Sequence, residues 1–378
     1  MTATDTFQWQ PGSELPDGFS ELAASVYRDD PNWIPEDTDA VRQAFSEANR
    51  WLDCSAEQTG NRAWLGCHAG RARLAAFFNP ELEVDRQRPA FFGYFEAVND
   101  LEACRELFDE ARAWASAQGA TALFGPVNFT TYGQYRIKLD HFDKRAFLGE
   151  PYNPDYYPAL MEQLGFELRY RYVTRINEDA GALVPEVDRF YSPMRDNIRS
   201  LFRIEAMDGD FWMSHLEQLY PTVNSIFSNN FAYSPIDFDT FVKSCGEPFA
   251  RKLCPHSSVA AFDRAGQLAG FFMCFPDYSP LINQGASDPV TASALCFDQH
   301  FEQFPRPRLG LAKTGGVHPD YREANLFNAL SCELTLRLLP HYQQVAGAMV
   351  REDNPSLRFA ARFGPQARHY GLYKQMLV

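Results

Sequence analysis

The sequence contains one order of segments twice, and this repeat constrains the fold more than any other feature. In each half, the pattern of apolar residues predicts a strand, a helix and a second strand. An Asn-Pro pair, a predicted short helix and a glycine then follow in the same order. The first five begin at residues 90, 99, 121, 153 and 155 in the first half and at 309, 320, 344, 354 and 356 in the second, and the glycines are Gly165 and Gly364. Each segment is common alone, but the shared order predicts two units of one design.

Both long helices carry signals for their start and for their buried face. Asn99 with Glu102, and Asp320 with Glu323, have the spacing of a capping box at a helix N-terminus. Apolar residues then recur at helical spacing, which predicts one core-facing side for each helix. These apolar residues are Leu101, Cys104, Leu107, Phe108, Ala111, Trp114 and Ala115 in the first half, and Phe327, Leu330, Leu334 and Leu338 in the second.

The alternation of strands and helices predicts an α/β (mixed α+β) fold. A chain of 378 residues is long for one core and suits two domains. The pattern breaks at residues 177–187, so we expect an N-terminal unit at 1–180 and a C-terminal unit at 181–378. The first unit also carries an insert at residues 128–150, and long irregular inserts in compact domains are often functional.

Composition argues against several classes of protein. The formal net charge of −14 disfavours binding to bulk nucleic acid. The eight cysteines form no C-x-x-C pair and no cluster with zinc spacing, so we expect reduced core cysteines and no metal. No apolar run approaches the ~20 residues that cross a bilayer. The N-terminus also lacks the pattern of a signal peptide, and we therefore expect a cytoplasmic protein without a membrane partner.

The segment from Gly315 to Arg322 joins a predicted strand to a predicted helix. A strand that leads into a helix through such a turn presents free backbone N–H groups and the positive end of the helix dipole, which together hold a phosphate. Gly315 and Gly316 weaken a strand, so we expect a ligand or another backbone to approach closely there.

Within this turn, the pattern Val317-x-Pro319-x-Tyr321-Arg322 resembles the acyl-CoA pyrophosphate turn of the GNAT acyltransferase superfamily. With further landmarks in order along the chain, the whole sequence resembles a bacterial two-domain (tandem) branch of that superfamily. The resemblance implies tandem GNAT-like domains, each a mixed sheet with a splayed central strand pair and flanking helices, with acyl-CoA in the splay. The other landmarks are residues 30–35, 125–129, 152–157 and 275–278.

The superfamily signature at the turn, Q/R-x-x-G-x-G/A, is only partly present. Arg322 matches it, but Asn325 and Phe327 fill the two glycine positions. In the first unit, Asp100 and Glu102 place acids where the phosphate would lie, and like charges repel. We therefore expect acyl-CoA in the second unit only. The residues that the resemblance assigns to acyl-CoA binding are Gly315, Gly316, Val317, Tyr321, Arg322, Asn325 and Asn354. The alternative for Asn354 is a plain helix N-cap.

The tyrosine that the superfamily uses as an acid is absent, because its two positions hold Met161 and Ala360. By elimination, we expect Asp277, His318 and Tyr373 to handle protons. A turn aspartate, a surface histidine and a packing tyrosine are the alternatives for these three residues.

Further residues are predicted to contact the acceptor. Apolar surroundings would raise the pKa of Glu96 and make it a base, although a solvent-facing strand glutamate also fits. The insert offers hydrogen-bond donors and aromatic faces, which fit acceptor recognition or a structural contact between the units. The predicted acceptor residues are Glu96, Asn128, Tyr132, Tyr135 and Tyr278.

Together these features predict an enzyme, an N-acyltransferase that moves an acyl group from acyl-CoA, such as acetyl-CoA, to a small-molecule amine by direct attack. Two alternatives stay open, since fold alone cannot choose between them. An aminoacyl-tRNA-dependent transferase with a GNAT-like fold fits the lost glycines, although the acidity of the chain opposes tRNA binding. A non-catalytic protein that binds small molecules fits the missing tyrosines and glycines.

Overall fold

The computed structural model describes residues 4–10, 12–47, 49, 51, 60–282, 289–360, 364 and 366–377. Within these residues, thirteen strands form one mixed sheet. The strands are β1 (Thr4–Trp9), β2 (Arg62–His68), β3 (Ala72–Phe78), β4 (Pro89–Ala97), β5 (Ala122–Gly125), β6 (Ile137–Lys138), β7 (Glu167–Asn177), β8 (Arg203–Ala206), β9 (Val259–Phe262), β10 (Leu268–Pro276), β11 (Leu309–Val317), β12 (Gln344–Arg351) and β13 (Gln366–Met376).

The helices of the described residues occur between these strands. They are α1 (Leu22–Val26), α2 (Thr38–Ala44), α3 (Leu101–Ala117), α4 (Tyr157–Gln163), α5 (Val184–Tyr191), α6 (Arg195–Leu201), α7 (Gly209–Ser214), α8 (Leu216–Phe227), α9 (Phe238–Cys245), α10 (Glu247–Ala250), α11 (Ser279–Ile282), α12 (Phe297–His300), α13 (Leu326–Leu338) and α14 (Leu357–Ala360). Short 3₁₀ segments cover Ala180–Leu183, Phe301–Gln303 and Pro319–Ala324.

The strand order shows how the two halves of the chain are joined. Along the sheet the order is β1-β2-β3-β4-β5-β13-β7-β12-β11-β10-β9-β8, and β6 pairs with β13. The last strand of the chain, β13, therefore lies beside β5 of the first half, while β7 lies beside β12 of the second. Each half thus completes its part of the sheet with the final strand of the other half. The domain boundary near residue 180 stays a prediction.

Each half contains one parallel strand pair that separates partway along its length, as predicted. β4 pairs with β5 over only its first three residues, and β11 pairs with β12 over only its first four. Beyond these residues the paired strands diverge. The sixth residue of each longer strand, Tyr94 in β4 and Thr314 in β11, has a positive φ, of 49° and 62° respectively. The two halves therefore share a local backbone irregularity at the splay.

The long helices begin at different places from those predicted. The first, α3, is capped by Asp100, whose carboxylate accepts from the Ala103 amide at 3.1 Å, so the prediction of Asn99 as the cap was wrong by one residue. In the second half, residues 319–324 form the 3₁₀ segment and Asn325 has a φ of 57°. This left-handed residue separates the 3₁₀ segment from the helix, so α13 begins at Leu326 and the predicted cap at Asp320 was wrong.

Two apolar clusters pack on opposite faces of the first half of the sheet. Successive side chains of a strand point to opposite faces. Accordingly Leu74 of β3 lies in one cluster and Ala75 in the other. The first cluster includes the buried side of α3, as its periodicity predicted, and contains the fully buried Met161. The side chain of Ala360, at the other expected tyrosine position, lies outside what the structure describes.

No disulfide links the seven cysteines that the structure describes, five of which are buried. Cys54 falls outside the described residues. Of the helices in the described ranges, none is both long enough and apolar enough to cross a bilayer.

Candidate active site

The splay between β11 and β12 opens into a cavity of about 720 Å³. Thr314 and Gly315 of β11 line it, as do Ala348 and Met349 of β12. The insert contributes residues 131–136, so both halves of the chain border this space. Aromatic residues of the second half form much of the apolar lining, among them Trp212, Phe227, Phe241, Phe249, Phe271 and Phe272.

The charged residues of this cavity all have the same sign. The described residues that line it include Arg136, Lys313 and Arg351, but no Asp or Glu. Arg351 forms an ion pair with Asp353. Burial, together with the charge of Arg136, lowers the pKa of Lys313 from its ordinary 10.5 to about 8. The electrostatic environment of Lys313 therefore disfavours its charged form.

Arg136 is held in place by aromatic rings. Its guanidinium carbon lies 3.6 Å from the ring centroid of Tyr135 and 4.1 Å from that of Tyr172. Nη1 donates to the Met349 sulfur at 3.4 Å, whereas Nε is buried without a hydrogen-bond partner among the described residues. The two rings are nearly perpendicular, and contact with both restricts the motion of the guanidinium.

The corresponding splay of the first half is closed by the protein itself. The amide of Val127 donates to the Phe92 carbonyl at 2.7 Å. The side-chain oxygen of Asn128 accepts from the Tyr94 amide at 2.8 Å. Thr314, at the equivalent place in β11, borders the cavity instead. The two splays thus differ, since one is filled by its own chain and the other is open.

The helix N-termini beside the two splays also differ. In α3, Asp100 accepts from the Ala103 amide and from Arg71 Nε at 2.6 Å, and these contacts hold its pKa below the ordinary value. In contrast, α13 has no side-chain cap and no acid in its first turn. Arg322 is exposed, and its guanidinium donates to the Ile226 carbonyl at 3.3 Å. Only the second helix therefore presents an N-terminus without a carboxylate.

The two residues at the signature glycine positions behave differently. Asn325 takes the left-handed conformation that glycine adopts freely and asparagine tolerates. Phe327 stacks on Phe272, with ring centroids 5.5 Å apart, and lines the cavity. The turn therefore keeps the backbone of the signature at the first position, whereas the second carries a large side chain.

The insert contacts the second half of the chain as well as lining the cavity. The hydroxyl oxygens of Tyr132 and Tyr233 lie 3.1 Å apart, and both residues border the cavity. The Leu148 amide donates to Asp277 Oδ1 at 3.1 Å. A structural contact between the halves is thus confirmed for the insert, and acceptor recognition by Asn128, Tyr132 and Tyr135 stays a prediction.

The residues predicted to handle protons are not brought together at the cavity. Asp277 accepts from the Leu148 amide and from both the amide and the hydroxyl of Ser279, at 3.0 and 2.9 Å. Burial raises the pKa of Asp277. Tyr373 is buried in the core of the first half, and burial raises its pKa to about 12.

His318, the third of these residues, caps the 3₁₀ segment that precedes α13. Its Nδ1 accepts from the Asp320 amide at 3.4 Å and lies 3.6 Å from the Asp320 carboxylate. Of the described lining residues of the cavity, none is Asp277, His318 or Tyr373. Their catalytic role stays a prediction, and each has a structural contact of its own.

The glycines predicted to approach a ligand make room for protein side chains. A Cβ at Gly315 would lie 2.5 Å from the Phe272 ring, and one at Gly316 would lie 2.3 Å from Ile226 Cγ2. Side chains of the protein thus fill the space beside both glycines, and the approach of a ligand there stays a prediction. Gly315 nevertheless lines the cavity.

The other residues assigned to acyl-CoA are distributed around the turn. Val317 is buried in the core of the second half. The Tyr321 hydroxyl donates to Asp263 Oδ2 at 2.7 Å. Asn354 lines the cavity, and its side-chain oxygen accepts from the amide and hydroxyl of Ser356 at 2.9 and 2.8 Å. Of these three, only Asn354 borders the open splay.

Glu96 and Tyr278 lie elsewhere. Glu96 accepts from the hydroxyls of Tyr27 and Tyr157 at 2.9 and 2.7 Å. Burial raises its pKa from 4.5 to about 7, which confirms the predicted direction. Tyr278 is buried, and its hydroxyl donates to the Lys252 carbonyl at 3.0 Å. Neither residue lines the cavity in the described part of the chain.

Sequence reasoning missed Lys313 and Tyr233 at the cavity. The sequence could have indicated Lys313, because it is a charged residue in the middle of the predicted strand at 309–317. No sequence pattern indicated Tyr233, since its place beside the insert depends on how the two halves meet.

Comparison with known proteins gives one distant curated relative. No protein-family model matches the chain. Protein YghO of Escherichia coli strain K12 is 25% identical over 230 residues, which cover 57% of this chain and 55% of that protein. The chain thus matches about half the length of this relative.

Solved structures confirm the fold. A tandem GNAT protein from the clavulanic acid biosynthesis pathway matches with a TM-score of 0.50 and 13% identity, covering 100% of this chain and 99% of that one. A GCN5-related glucosamine N-acetyltransferase region of a fungal multi-domain β-N-acetylglucosaminidase matches with a TM-score of 0.51 and 13% identity, covering 99% of this chain and 38% of that one. The chain therefore has the tandem GNAT-like fold that its sequence predicted.

Proposed function

We propose that the protein is an acyl-CoA-dependent N-acyltransferase that acts on a small-molecule amine at one site, the cavity between β11 and β12. The observation that carries this proposal is the difference between the two splays. Asn128 and Val127 close the first, whereas the second opens into about 720 Å³. An open splay in a GNAT-like fold is the place where an acyl donor and an acceptor can meet.

The donor pyrophosphate is assigned to the N-terminus of α13. This helix has 13 residues, no acid in its first turn and no side-chain cap. Its free N–H groups and dipole favour an anion. Asn325 keeps the left-handed turn before the helix, and Arg322 adds a positive charge three residues earlier. In the first half, Asp100 occupies the equivalent place and is paired with Arg71.

The proposed reaction is direct attack of the neutral amine on the thioester carbon, with departure of the thiolate. The nitrogen releases one proton and the thiolate takes up one, so the products are an amide and the CoA thiol. We assign the stabilisation of the thioester oxygen to backbone N–H groups near Thr314, where β11 leaves regular geometry beside the cavity. The hydroxyl pair of Tyr132 and Tyr233 fits the proton donor to the thiolate, because both line the cavity. Burial raises the pKa of each hydroxyl, which keeps both protonated but makes each a weaker acid than a free tyrosine.

The test is incubation of the protein with a panel of amines and either acetyl-CoA or aminoacylated tRNA, followed by mass analysis of the products. An acylated amine together with free CoA supports the proposal. A product formed only from aminoacylated tRNA shifts the assignment to the alternative transferase, which the ring of Phe327 at a glycine position favours. Absence of product from either donor contradicts an enzymatic role. The control is Ala348→Trp, which fills the cavity.

A further inference from the structure

The cavity differs in charge from the rest of the molecule. The chain has 49 acidic and 35 basic side chains, yet the described lining residues include three cations and no carboxylate. One of these cations, Arg351, is paired with Asp353. Lys313 and Arg136 have no such partner among the described residues. Both are half-buried, and a partly desolvated cation without a counter-charge is costly, so their retention at a cavity points to a ligand that supplies the charge.

Lys313 lies where the two strands part. It follows Ala312, which makes the last parallel pair of β11, with Gly347 of β12. Gly149 of the insert lies close to its ammonium, since a Cβ there would stand 3.0 Å from Nζ. Only burial and the charge of Arg136 act on the pKa of Lys313, and both lower it. No described carboxylate therefore compensates this ammonium.

Arg136 is prepared for an anion in a complementary way. Its guanidinium contacts the rings of both Tyr135 and Tyr172, which restricts its motion. Its hydrogen-bond partners include the Met349 sulfur and the hydroxyls of Tyr135 and Tyr172, and its Nε is buried without a partner in the described residues. The N–H groups that remain are enough for a contact with the two oxygens of a carboxylate.

We propose that Lys313 and Arg136 bind a carboxylate on the substrate that occupies the cavity between β11 and β12. Since aromatic residues such as Trp212, Phe241 and Phe271 line the same space, the rest of this substrate is apolar. The inference rests on the proposed function where it names the substrate of acyl transfer. The binding of a carboxylate can be measured without turnover. Two parts of the reaction can supply the carboxylate: the amine acceptor, as in an amino acid, or the acyl group of the donor.

The experiment compares matched compounds that differ only in the carboxylate. For the acceptor, the pairs are L-phenylalanine with L-phenylalaninamide and L-leucine with L-leucinamide. For the donor, the pair is succinyl-CoA with butyryl-CoA. Calorimetry measures the binding of each compound, and the product assay measures transfer. Because a charge-assisted contact is worth about 1.5–3 kcal/mol, the carboxylate member of the relevant pair should bind about tenfold or more tightly.

Variants then locate the contact. Lys313→Met and Arg136→Met should each remove most of the preference within the pair, so that the two members bind with similar affinity. Lys313→Arg should keep it, and thermal unfolding checks that each variant is folded. The matched control is Lys144→Met, an exposed lysine of the same insert that pairs with Asp143 outside the cavity. This control should behave like the wild type.

The outcomes separate the two proposals. A preference in the amino acid pairs assigns the carboxylate to the acceptor, and a preference for succinyl-CoA assigns it to the donor. Preference in binding without acyl transfer supports the carboxylate site and contradicts the proposed function. Transfer without preference in any pair, no preference in binding at all, or a preference that both Met variants retain would overturn the carboxylate site.

Discussion

The side-chain oxygen of Asn128 accepts the backbone amide of Tyr94 at 2.8 Å, and this bond fills the splay of the first half of the sheet. Tyr94 is the residue of β4 with a positive φ, and Thr314 is its counterpart in β11. At Thr314 the chain instead borders a cavity. One fold repeated twice thus yields one closed and one open splay, and this asymmetry is the basis of the proposed function.

The bond between Asn128 and Tyr94 should contribute to stability. Asn128→Ala removes the acceptor and leaves the Tyr94 amide without it, so we expect the free energy of unfolding to fall by about 1–3 kcal/mol. Chemical denaturation measures this change. The control Asn99→Ala, at an exposed residue, should change stability by less than about 0.5 kcal/mol. Equal losses in the two variants would show that the bond has no special role.

Lys313 should destabilise the protein when no ligand is bound. Its folded-state pKa of about 8 lies below its ordinary 10.5, so the folded state disfavours the proton. The penalty is complete below pH 8 and disappears as pH rises to the unfolded-state value. We therefore expect Lys313→Met to be about 1–3 kcal/mol more stable than the wild type at pH 7 and equal to it near pH 10.5. Denaturation at the two pH values measures the difference, and a difference independent of pH would contradict the placement of Lys313.

Glu96 gives a second pH-dependent prediction, of opposite sign. Its folded-state pKa of about 7 lies above its ordinary 4.5, so its favourable contribution is complete below pH 4.5 and is lost as pH rises through 7. Glu96→Gln keeps acceptors for the hydroxyls of Tyr27 and Tyr157. We expect this variant to gain about 1–3 kcal/mol over the wild type at pH 8 and little at pH 5. A gain at pH 5 as large as that at pH 8 would contradict the cause assigned here.

Much of the fold could be predicted from the sequence because local periodicity determines it. The strand at 309–317 and the buried side of α3 are examples, since both follow from patterns within single segments. The first residues of the two long helices were harder to predict, because neighbouring residues compete to cap a helix. Asp100, rather than Asn99, caps α3, and a left-handed Asn325 delays α13 until the 3₁₀ segment has ended.

The candidate site was harder to predict because it forms between distant segments. β13 lies beside β5 through pairing that no local pattern encodes. The contact of Tyr132 with Tyr233 depends on the same arrangement, as does the approach of Gly149 to Lys313. Asp277 shows the opposite case: its sequence context suggested chemistry, while its bonds to Leu148 and Ser279 give it a structural role.

A change of charge at the N-terminus of α13 should change the affinity for acyl-CoA, whereas a change at the N-terminus of α3 should not. Arg322→Glu places an acid beside the N-terminus of α13, so we expect affinity for acetyl-CoA to fall about tenfold or more. Asp100→Asn, which removes the acid that caps α3, should leave affinity unchanged. Calorimetry measures both. Unchanged affinity in the Arg322 variant, or a second binding event in the Asp100 variant, would contradict the assignment of the pyrophosphate.

The claim of one open splay is tested most directly by native mass spectrometry of the protein titrated with acetyl-CoA. The account predicts one bound molecule per chain, its loss in Ala348→Trp because Ala348 lines the cavity, and its retention in Asp100→Asn. Two bound molecules per chain, or one molecule that the Ala348 variant still binds, would contradict it.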